Sequence, residues 1–322
     1  MTDTMFAAPG RFFRGNLHTH SNLSDGALDP GDVCRRYRDE GYDFISLTDH
    51  LVGHFGYPIA DTRPFRSNDF TTIIGAELHS GAMRNGEIWH ILAVGLPDDF
   101  EPPATETFEP TADQESGAQI AARARAAGAF VAIAHPEWSG LAMEDALAIE
   151  AAHAVEVYNH GCAVACDRPH GFYTLDRLLE QGRRLTLCAT DDAHFTEPDH
   201  FGGWVMVKAQ ENDPDALLEA LKAGHHYASQ GPEIRGIHWE RNAVVIESTP
   251  VTTAIVQARG SRTATVHGLS MTRTRIPLDR VSRSPWLRVT LVDKAGQRAW
   301  TNPVWVEDQA AQRPVVSRRD GL

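Results

Sequence analysis

The sequence of 322 residues has few cysteines and no long apolar run. Its four cysteines, Cys34, Cys162, Cys166 and Cys188, have neither CxxC spacing nor the density of a disulfide framework, so we interpret them as reduced thiols. No apolar stretch approaches the ~20 residues that a membrane-spanning helix needs, and the first residues contain no signal-peptide pattern. We therefore expect a cytoplasmic protein that does not bind membranes.

Basic residues are also scarce, and they are unevenly distributed. The chain carries 30 Lys and Arg against 43 Asp and Glu. Residues 1–230 hold 16 basic and 35 acidic residues with 14 of the 16 histidines, whereas residues 231–322 hold 14 basic and 8 acidic residues. An acidic surface repels a phosphate backbone, which argues against binding to duplex nucleic acid. An acidic, histidine-rich region instead offers the side chains that bind cations.

The pattern of apolar segments changes near residue 231. Before it, short apolar runs alternate with helical patterns, which is typical of βα units around a buried, largely parallel sheet. After it, Val, Thr and Arg alternate with little helical periodicity, as in an antiparallel β-sandwich. We therefore predict an α/β domain over residues 1–230 and a β-sandwich accessory domain over residues 231–322.

Six apolar runs carry His, Asp or Glu at one end: NLHTH, SLTDH, IGAELH, EIWHILAVGL, VAIAH and CATDDAH. In parallel α/β architectures the strand ends form the rim where ligands bind. His18 and His20 are two residues apart, as are Asp192 and His194, and on a strand this spacing directs both side chains to one face. The same spacing favours Asp192 over its neighbour Asp191. The pattern suits one divalent cation or an adjacent pair.

This series of motifs resembles that of the PHP (polymerase and histidinol phosphatase) superfamily over about the first 210 residues. The motifs are NLHTHSNLSDG, TDH, GAELH, HILAVGL, IAHP and DDAH. The resemblance implies a distorted (β/α)7 TIM-like barrel that holds two or three Zn, Mn or Fe ions. It implies one ion bound by His18, His20, Asp192 and a bridging Glu77, a second bound by Glu77, His90 and His135, and a third bound by Asp25, His50 and His194.

Four other segments are similar to one branch of that superfamily. They are ALKAGHHYASQGPEI, QRAWTNPVWV, DTRPFRSNDF and VEVYNHGC. The branch is that of the carbaryl hydrolases (CehA/McbA), in which a small β-domain follows the barrel. The resemblance implies a carbamate or ester substrate as an alternative to a phosphoester.

Mixed imidazole and carboxylate ligands suit Zn²⁺, Mn²⁺ or Fe²⁺. Such ions lower the pKa of bound water to about 7 and neutralise charge on a phosphoryl or carbonyl oxygen. We therefore predict a metal-dependent hydrolase that cleaves a small phosphomonoester or phosphodiester with a metal-bridging hydroxide. A carbamate or carboxylic ester hydrolase and a non-catalytic, metal-stabilised binding module are the alternatives.

Four residues outside the ligand set are candidates for catalysis. Asp49 either orients a ligand and moves a proton, or caps a strand end. Arg63 and Arg66 lie in the long loop after TDH, where they either clamp an anionic substrate or are solvated. His160 either protonates a leaving group or is structural.

Several features stay open at this level. Glu156 and Asn159 are either rim residues or ordinary strand-end polar groups. His79 shares a face with Glu77 if its strand continues, although the resemblance gives it no role. Residues 231–322 carry no recognisable chemistry; their basic surface would complement an acidic domain, so we expect them to cover the barrel or to form a homo-oligomeric contact.

Overall fold

The computed structural model describes residues 4–111 and 114–307, which form two compact units. The first consists of residues 8–230, and the second of residues 231–307 together with residues 4–7. The short helix α1 (Thr4–Ala7) thus belongs to the second unit although it precedes the first unit in sequence. Within the described ranges, every helix is too short or too polar to cross a bilayer.

The first unit is built on a mixed β-sheet. Its strands are β1 (Arg11–Asn16), β2 (Phe44–Leu47), β3 (His50–Leu51), β4 (Thr71–Leu78), β5 (Ile91–Val94), β6 (Phe130–Ile133), β7 (Ala154–Asn159), β8 (Thr186–Thr190), β9 (Trp204–Ala209) and β10 (His226–Ser229). Their order is β10-β9-β1-β2-β4-β5-β6-β7-β8, with β3 against β4.

The sheet contains more antiparallel pairs than the sequence pattern predicts. The pairs β1–β2, β2–β4, β3–β4, β6–β7 and β7–β8 are parallel, whereas β4–β5, β5–β6, β1–β9 and β9–β10 are antiparallel. Residues 79–90, which link β4 to β5, contain no helix. A parallel neighbour needs a longer crossover, so the chain returns antiparallel here.

The predicted barrel closure is not found. In the ranges that the structure describes, no ladder joins β8 to β9 or β10, so the sheet is open. The segments that follow β1 and β8 nevertheless meet, because Thr19 and Ala193 form a parallel bridge and His20 N donates to Ala193 O at 2.9 Å. The sheet is therefore drawn together at one edge, and a TIM-like barrel stays a prediction.

Six helices of the first unit lie between these strands in sequence: α2 (Pro30–Asp39), α3 (Gly117–Ala126), α4 (Met143–Ala148), α5 (His160–Cys166), α6 (Phe172–Glu180) and α7 (Pro214–Lys222). Two 3₁₀ turns cover Gly53–Phe55 and Arg63–Phe65. Helix α2 begins where the Asp29 carboxylate accepts the free N–H groups of Gly31 and Asp32. Helix α7 packs Leu217 and Leu221 into the apolar core of the sheet.

The second unit is all β apart from its short terminal helix. Its strands are β11 (Ile234–Trp239), β12 (Ala243–Ala258), β13 (Thr263–Pro277), β14 (Trp286–Val292), β15 (Arg298–Thr301) and β16 (Val304–Trp305). The ladders among them are antiparallel, as the sequence predicts. Pro250 lies where the β12–β13 register shifts, between Glu247 and Val251, because proline cannot donate to a ladder. The stacking of these strands into a two-layer sandwich stays a prediction.

Candidate metal centre

Side chains from several strand ends converge at one edge of the first sheet. They are His18 and His20 after β1, His50 in β3, Glu77 in β4, His90 before β5, His135 after β6, and Asp192 and His194 after β8. His90 belongs to the same edge because β5 runs antiparallel to β4, with Ile91 opposite Leu78. His90, which precedes β5, therefore lies at the same edge as the polar residues that follow the parallel strands.

The inner donor group consists of His18, His20, Glu77 and Asp192. Nε2 of His18 lies 3.1 Å from Asp192 Oδ1 and 3.5 Å from Glu77 Oε2. Nε2 of His20 lies 2.9 Å from Asp192 Oδ1 and 3.7 Å from Glu77 Oε2. Both imidazoles and the Glu77 carboxylate are fully buried. Four nitrogen and oxygen donors thus surround one small volume.

The other oxygen of Glu77 faces two further imidazoles. Oε1 lies 3.1 Å from His135 Nε2 and 2.8 Å from His90 Nδ1. The two oxygens of one buried carboxylate therefore contact different sets of donors, which is the arrangement of a carboxylate shared between two cations.

The outer donor group consists of Asp25, His50 and His194. Asp25 Oδ2 lies 3.3 Å from His50 Nε2, and Asp25 Oδ1 lies 3.4 Å from His194 Nε2. Nδ1 of His20 lies 4.0 Å from Asp25 Oδ1, so His20 stands between the two groups. The side chains of Asp25 and His194 are 40% and 27% exposed, unlike the inner donors.

Three buried atoms in this cluster have no hydrogen-bond partner among the described residues: His18 Nε2, His20 Nδ1 and Glu77 Oε2. Leaving a buried donor or acceptor unsatisfied costs about 1–3 kcal/mol. Imidazole and carboxylate donors suit divalent ions such as Zn²⁺, Mn²⁺ and Fe²⁺. These residues therefore fit divalent metal ions in two respects: the type of their donor atoms and the unpaired atoms that they present.

Buried partners hold the far side of two imidazoles. Glu156 Oε1 lies 3.0 Å from His18 Nδ1, and Glu156 Oε2 accepts the backbone N–H of His135 at 2.6 Å. Ser139 Oγ lies 3.0 Å from His135 Nδ1. Fixing Nδ1 in this way directs Nε2 of each ring toward Glu77. The clue in the sequence was a carboxylate inside the apolar strand AVEVYN, since a buried acid needs partners.

Charge in the cluster is balanced between carboxylates and imidazoles. Burial opposes ionisation of Glu77 and Asp192, but the surrounding imidazoles outweigh it and hold the pKa of each carboxyl well below its usual range. Burial likewise opposes protonation of His50 and His194. Nearby carboxylates reverse this effect: Glu77 and Asp25 raise the pKa of His50 to about 10, and Asp25 and Asp192 raise that of His194 to about 9. Without metal, imidazolium ions therefore supply the positive charge that the carboxylates require.

Asp191 and Asp192 are neighbours with different surroundings. The Asp191 carboxylate accepts the Tyr37 hydroxyl at 2.8 Å and the backbone N–H of Gly202 at 2.8 Å, so it braces the chain behind the site. Asp192 has φ of 55°, a left-handed conformation that ends the alternation of the strand. Asp192 and His194 therefore do not continue the alternation of the strand, and they lie in different donor groups.

Asp49 and His160 lie beside the cluster rather than in it. The Asp49 carboxylate accepts Ser21 N–H at 2.7 Å and the hydroxyls of Ser21 at 2.8 Å and Ser24 at 2.7 Å. It thereby braces the loop that carries Asp25. His160 begins α5, and its Nδ1 lies 3.0 Å from the Tyr158 hydroxyl. Neither side chain lines the cavity above the donors.

Arg63 and Arg66 are engaged away from the donors. The Arg63 guanidinium contacts Asp61 at 2.7 Å and Asp98 at 2.6 Å. The Arg66 guanidinium donates to the Thr72 carbonyl at 2.8 Å and contacts its hydroxyl at 3.1 Å. The structure brings neither arginine together with the predicted metal ligands.

A cavity of about 440 Å³ opens over the donors. Its apolar wall contains Ile88, Phe108 and Trp138, and its polar wall contains Glu87 and Glu197. Within the described part of the chain, its lining includes no Lys or Arg. The sequence reasoning did not identify Phe108 or Trp138, because each becomes part of a wall only through the path of its loop.

Neither a family model nor a curated protein sequence matches the chain. Among solved structures, it is similar to a two-domain protein from Bacteroides vulgatus ATCC 8482 that contains a predicted PHP-like metal-dependent phosphoesterase, with 19% identity over 92% of this chain and 97% of the other and a TM-score of 0.54. The chain shares the fold of that two-domain protein. A candidate metal-dependent phosphoesterase from Bifidobacterium adolescentis ATCC 15703 is 15% identical over 64% of this chain and 95% of the other, with a TM-score of 0.42. An amidohydrolase from Chromobacterium violaceum with bound sulfate and no metal is 15% identical over 56% of this chain and 87% of the other, also with a TM-score of 0.42.

Proposed function

We propose that residues 8–230 form a metal-dependent hydrolase of the PHP superfamily. The observation that carries this proposal is the set of unpaired buried atoms beneath the cavity: His18 Nε2, His20 Nδ1 and Glu77 Oε2. A core built only for stability would not keep three such atoms together, because each costs about 1–3 kcal/mol. A divalent cation in the inner donor group would satisfy His18 Nε2 and Glu77 Oε2, and His20 would face it through Nε2.

The proposed cofactors are two or three divalent ions, Zn, Mn or Fe. When bound, such ions lower the pKa of water and neutralise charge on a phosphoryl or carbonyl oxygen. The proposed ligands are His18, His20, Asp192 and a shared Glu77 for one ion, Glu77, His90 and His135 for a second, and Asp25, His50 and His194 for a third.

The surrounding residues have positioning tasks in this proposal. Glu156 and Ser139 hold the Nδ1 atoms of His18 and His135, so that the opposite nitrogens face the cations. Asp49 keeps the loop of Asp25 in place. Held in this way, the ligand atoms would need little rearrangement to receive the cations.

We propose a small phosphoester as the substrate, and a diester in preference to a monoester. The polar wall is acidic, with Glu87 and Glu197, and the described residues place no Lys or Arg in the lining. Where the proposed cations do not compensate this acidic wall, a phosphomonoester dianion would meet more repulsion than a phosphodiester monoanion.

A carbamate or carboxylic ester is the second candidate, and a specific observation favours it. Ile88, Phe108 and Trp138 form an apolar wall beside the donors, and the Trp138 side chain remains 44% exposed. A neutral aryl ester would bury that wall without needing a cationic partner. The similarity of four segments to the carbaryl hydrolase branch supports the same candidate.

A side-by-side assay tests these proposals. Metal-loaded protein should hydrolyse bis-p-nitrophenyl phosphate faster than p-nitrophenyl phosphate, and a higher rate on 1-naphthyl N-methylcarbamate would favour the second candidate. A folded His18→Ala variant should lose turnover. Full metal occupancy in the wild type without turnover on any substrate would instead support the non-catalytic binding module.

Two further expectations from the sequence stay predictions. One is a homo-oligomer formed through residues 231–322, which sedimentation of the full chain would test. The other is a cytoplasmic location, which cell fractionation would test.

A further inference from the structure

His79 is a fully buried imidazole beside the metal centre, and the ligand assignment above gives it no role. It follows β4 directly, and its ring centroid lies 4.8 Å from that of His50 and 4.4 Å from that of His90. Its two nitrogens face different groups. Nδ1 lies 3.2 Å from the Trp89 carbonyl oxygen, and Nε2 lies 2.8 Å from His50 Nδ1.

The Trp89 carbonyl determines where the protons lie on both rings. A carbonyl oxygen only accepts, so His79 Nδ1 carries a proton and donates it to Trp89. In a neutral ring Nε2 is then an acceptor, and the proton between the two rings belongs to His50 Nδ1. When His50 is neutral, as a metal ligand must be, its Nε2 keeps a lone pair, and this atom faces Asp25 Oδ2 at 3.3 Å.

Glu77 competes for the same proton. Its Oε2 lies 2.7 Å from His50 Nδ1 in an ion-pair contact, whereas His50 Nδ1 has hydrogen-bond geometry toward His79 Nε2 at 2.8 Å. The His50 proton is directed instead to His79. Without that acceptor, His50 would donate to Glu77 Oε2 and occupy the oxygen that the inner donor group presents.

We propose that His79 is a positioning residue for the metal centre. By accepting the proton of His50 Nδ1, it leaves both His50 Nε2 and Glu77 Oε2 available to divalent ions. The inference rests on the proposed function, since it takes these two atoms as metal ligands. His79 itself touches neither substrate nor metal in this role.

Two substitutions at His79 distinguish a need for a hydrogen-bond acceptor from a need for the imidazole ring. His79→Leu removes the acceptor, whereas His79→Gln keeps an oxygen near the position of Nε2. Zinc affinity and stoichiometry of the full chain, measured by competition with a chromophoric chelator, should fall roughly 10–100-fold for His79→Leu and stay near the wild-type value for His79→Gln. His226→Gln changes a buried histidine elsewhere in the first unit and should leave zinc affinity unchanged. Thermal unfolding of the metal-free variants checks that each is folded.

A spectroscopic measurement tests the hydrogen bond directly. In the zinc-loaded wild type, ¹⁵N NMR should show a coupling across the hydrogen bond between His50 Nδ1 and His79 Nε2. Equal zinc affinity of wild type and His79→Leu would overturn the inference alone. Loss of one whole zinc equivalent in both His79 variants would also overturn it, because His79 would then be a ligand. A wild type that binds no divalent ion would overturn the proposed function as well.

Discussion

The inner and outer donor groups are built from the same residue types, but the protein holds them differently. His18 and Glu77 are fully buried, and Glu156 fixes His18 from behind at 3.0 Å. Asp25 and His194 are partly exposed, and Asp25 sits on a loop braced by Asp49 through serines. Donors fixed in advance lose little freedom on binding, whereas exposed donors must be ordered first. We therefore expect the inner group to bind its ion more tightly and the outer group to exchange its ion more readily.

The largest effect is expected from Glu77→Gln. Glu77 contacts His18 and His50 through Oε2 and His135 through Oε1, so its loss removes a ligand from more than one proposed ion. Hydrolysis should fall by more than the roughly 10–100-fold that is typical of losing an outer partner, and metal content should drop below that of any outer-group variant. A variant that kept full metal content by elemental analysis would contradict the shared role of this carboxylate.

A smaller effect is expected from Glu156→Gln. The amide keeps the size of the side chain but removes the charge that faces His18, so metal affinity should fall roughly 10–100-fold. Chelator competition measures this change, and the exposed Glu150→Gln is the matched control. An unchanged affinity would mean that the inner group does not depend on the partner behind it.

A still smaller effect is expected from Asp25→Asn. Because Asp25 lies 3.3 Å from His50 and 3.4 Å from His194 but 4.0 Å from His20, the variant should lose one metal equivalent while the inner ions and part of the activity remain. Metal titration distinguishes the two groups, with the exposed Asp39→Asn as control. Loss of all metal from Asp25→Asn would remove the distinction between inner and outer donors.

His226 provides a contrast with the donors because it is buried against a backbone carbonyl, Leu187 O at 3.1 Å, rather than a carboxylate. Burial lowers the pKa of His226 to about 4, below the value of about 6.5 for an unfolded chain. Below pH 6.5 the unfolded chain binds a proton at His226 that the folded protein does not. The free energy of unfolding therefore falls by about 1.4 kcal/mol per pH unit from pH 6.5 toward pH 4, and this effect is absent above pH 6.5. Urea unfolding of metal-free protein at pH 7 and pH 4.5 should show a smaller loss for His226→Gln than for wild type. An equal loss in both proteins would contradict this account.

The sequence predicts which residues meet better than it predicts how they are oriented. Strand-end polar residues identify the edge of the sheet, because apolar runs and their ends are local features. The spacing rule does not apply to Asp192 and His194, because the strand ends at Thr190 and Asp192 adopts a left-handed conformation. Contacts such as that of His18 with Glu156 join residues far apart in sequence, so no local pattern reveals them. The sequence pattern also did not predict the antiparallel course of β5. This course follows from the linker of residues 79–90, which contains no helix.

The bridge between Thr19 and Ala193 has a consequence for how the centre is assembled. It joins two segments that are separated by most of the first unit in sequence. The donors beside it come from both segments: His18 and His20 from one, and Asp192 from the other. A nascent chain cannot gather these ligands until residue 194 has left the ribosome. The proposed ion of the inner donor group would therefore bind only after the strands between the two segments have been synthesised.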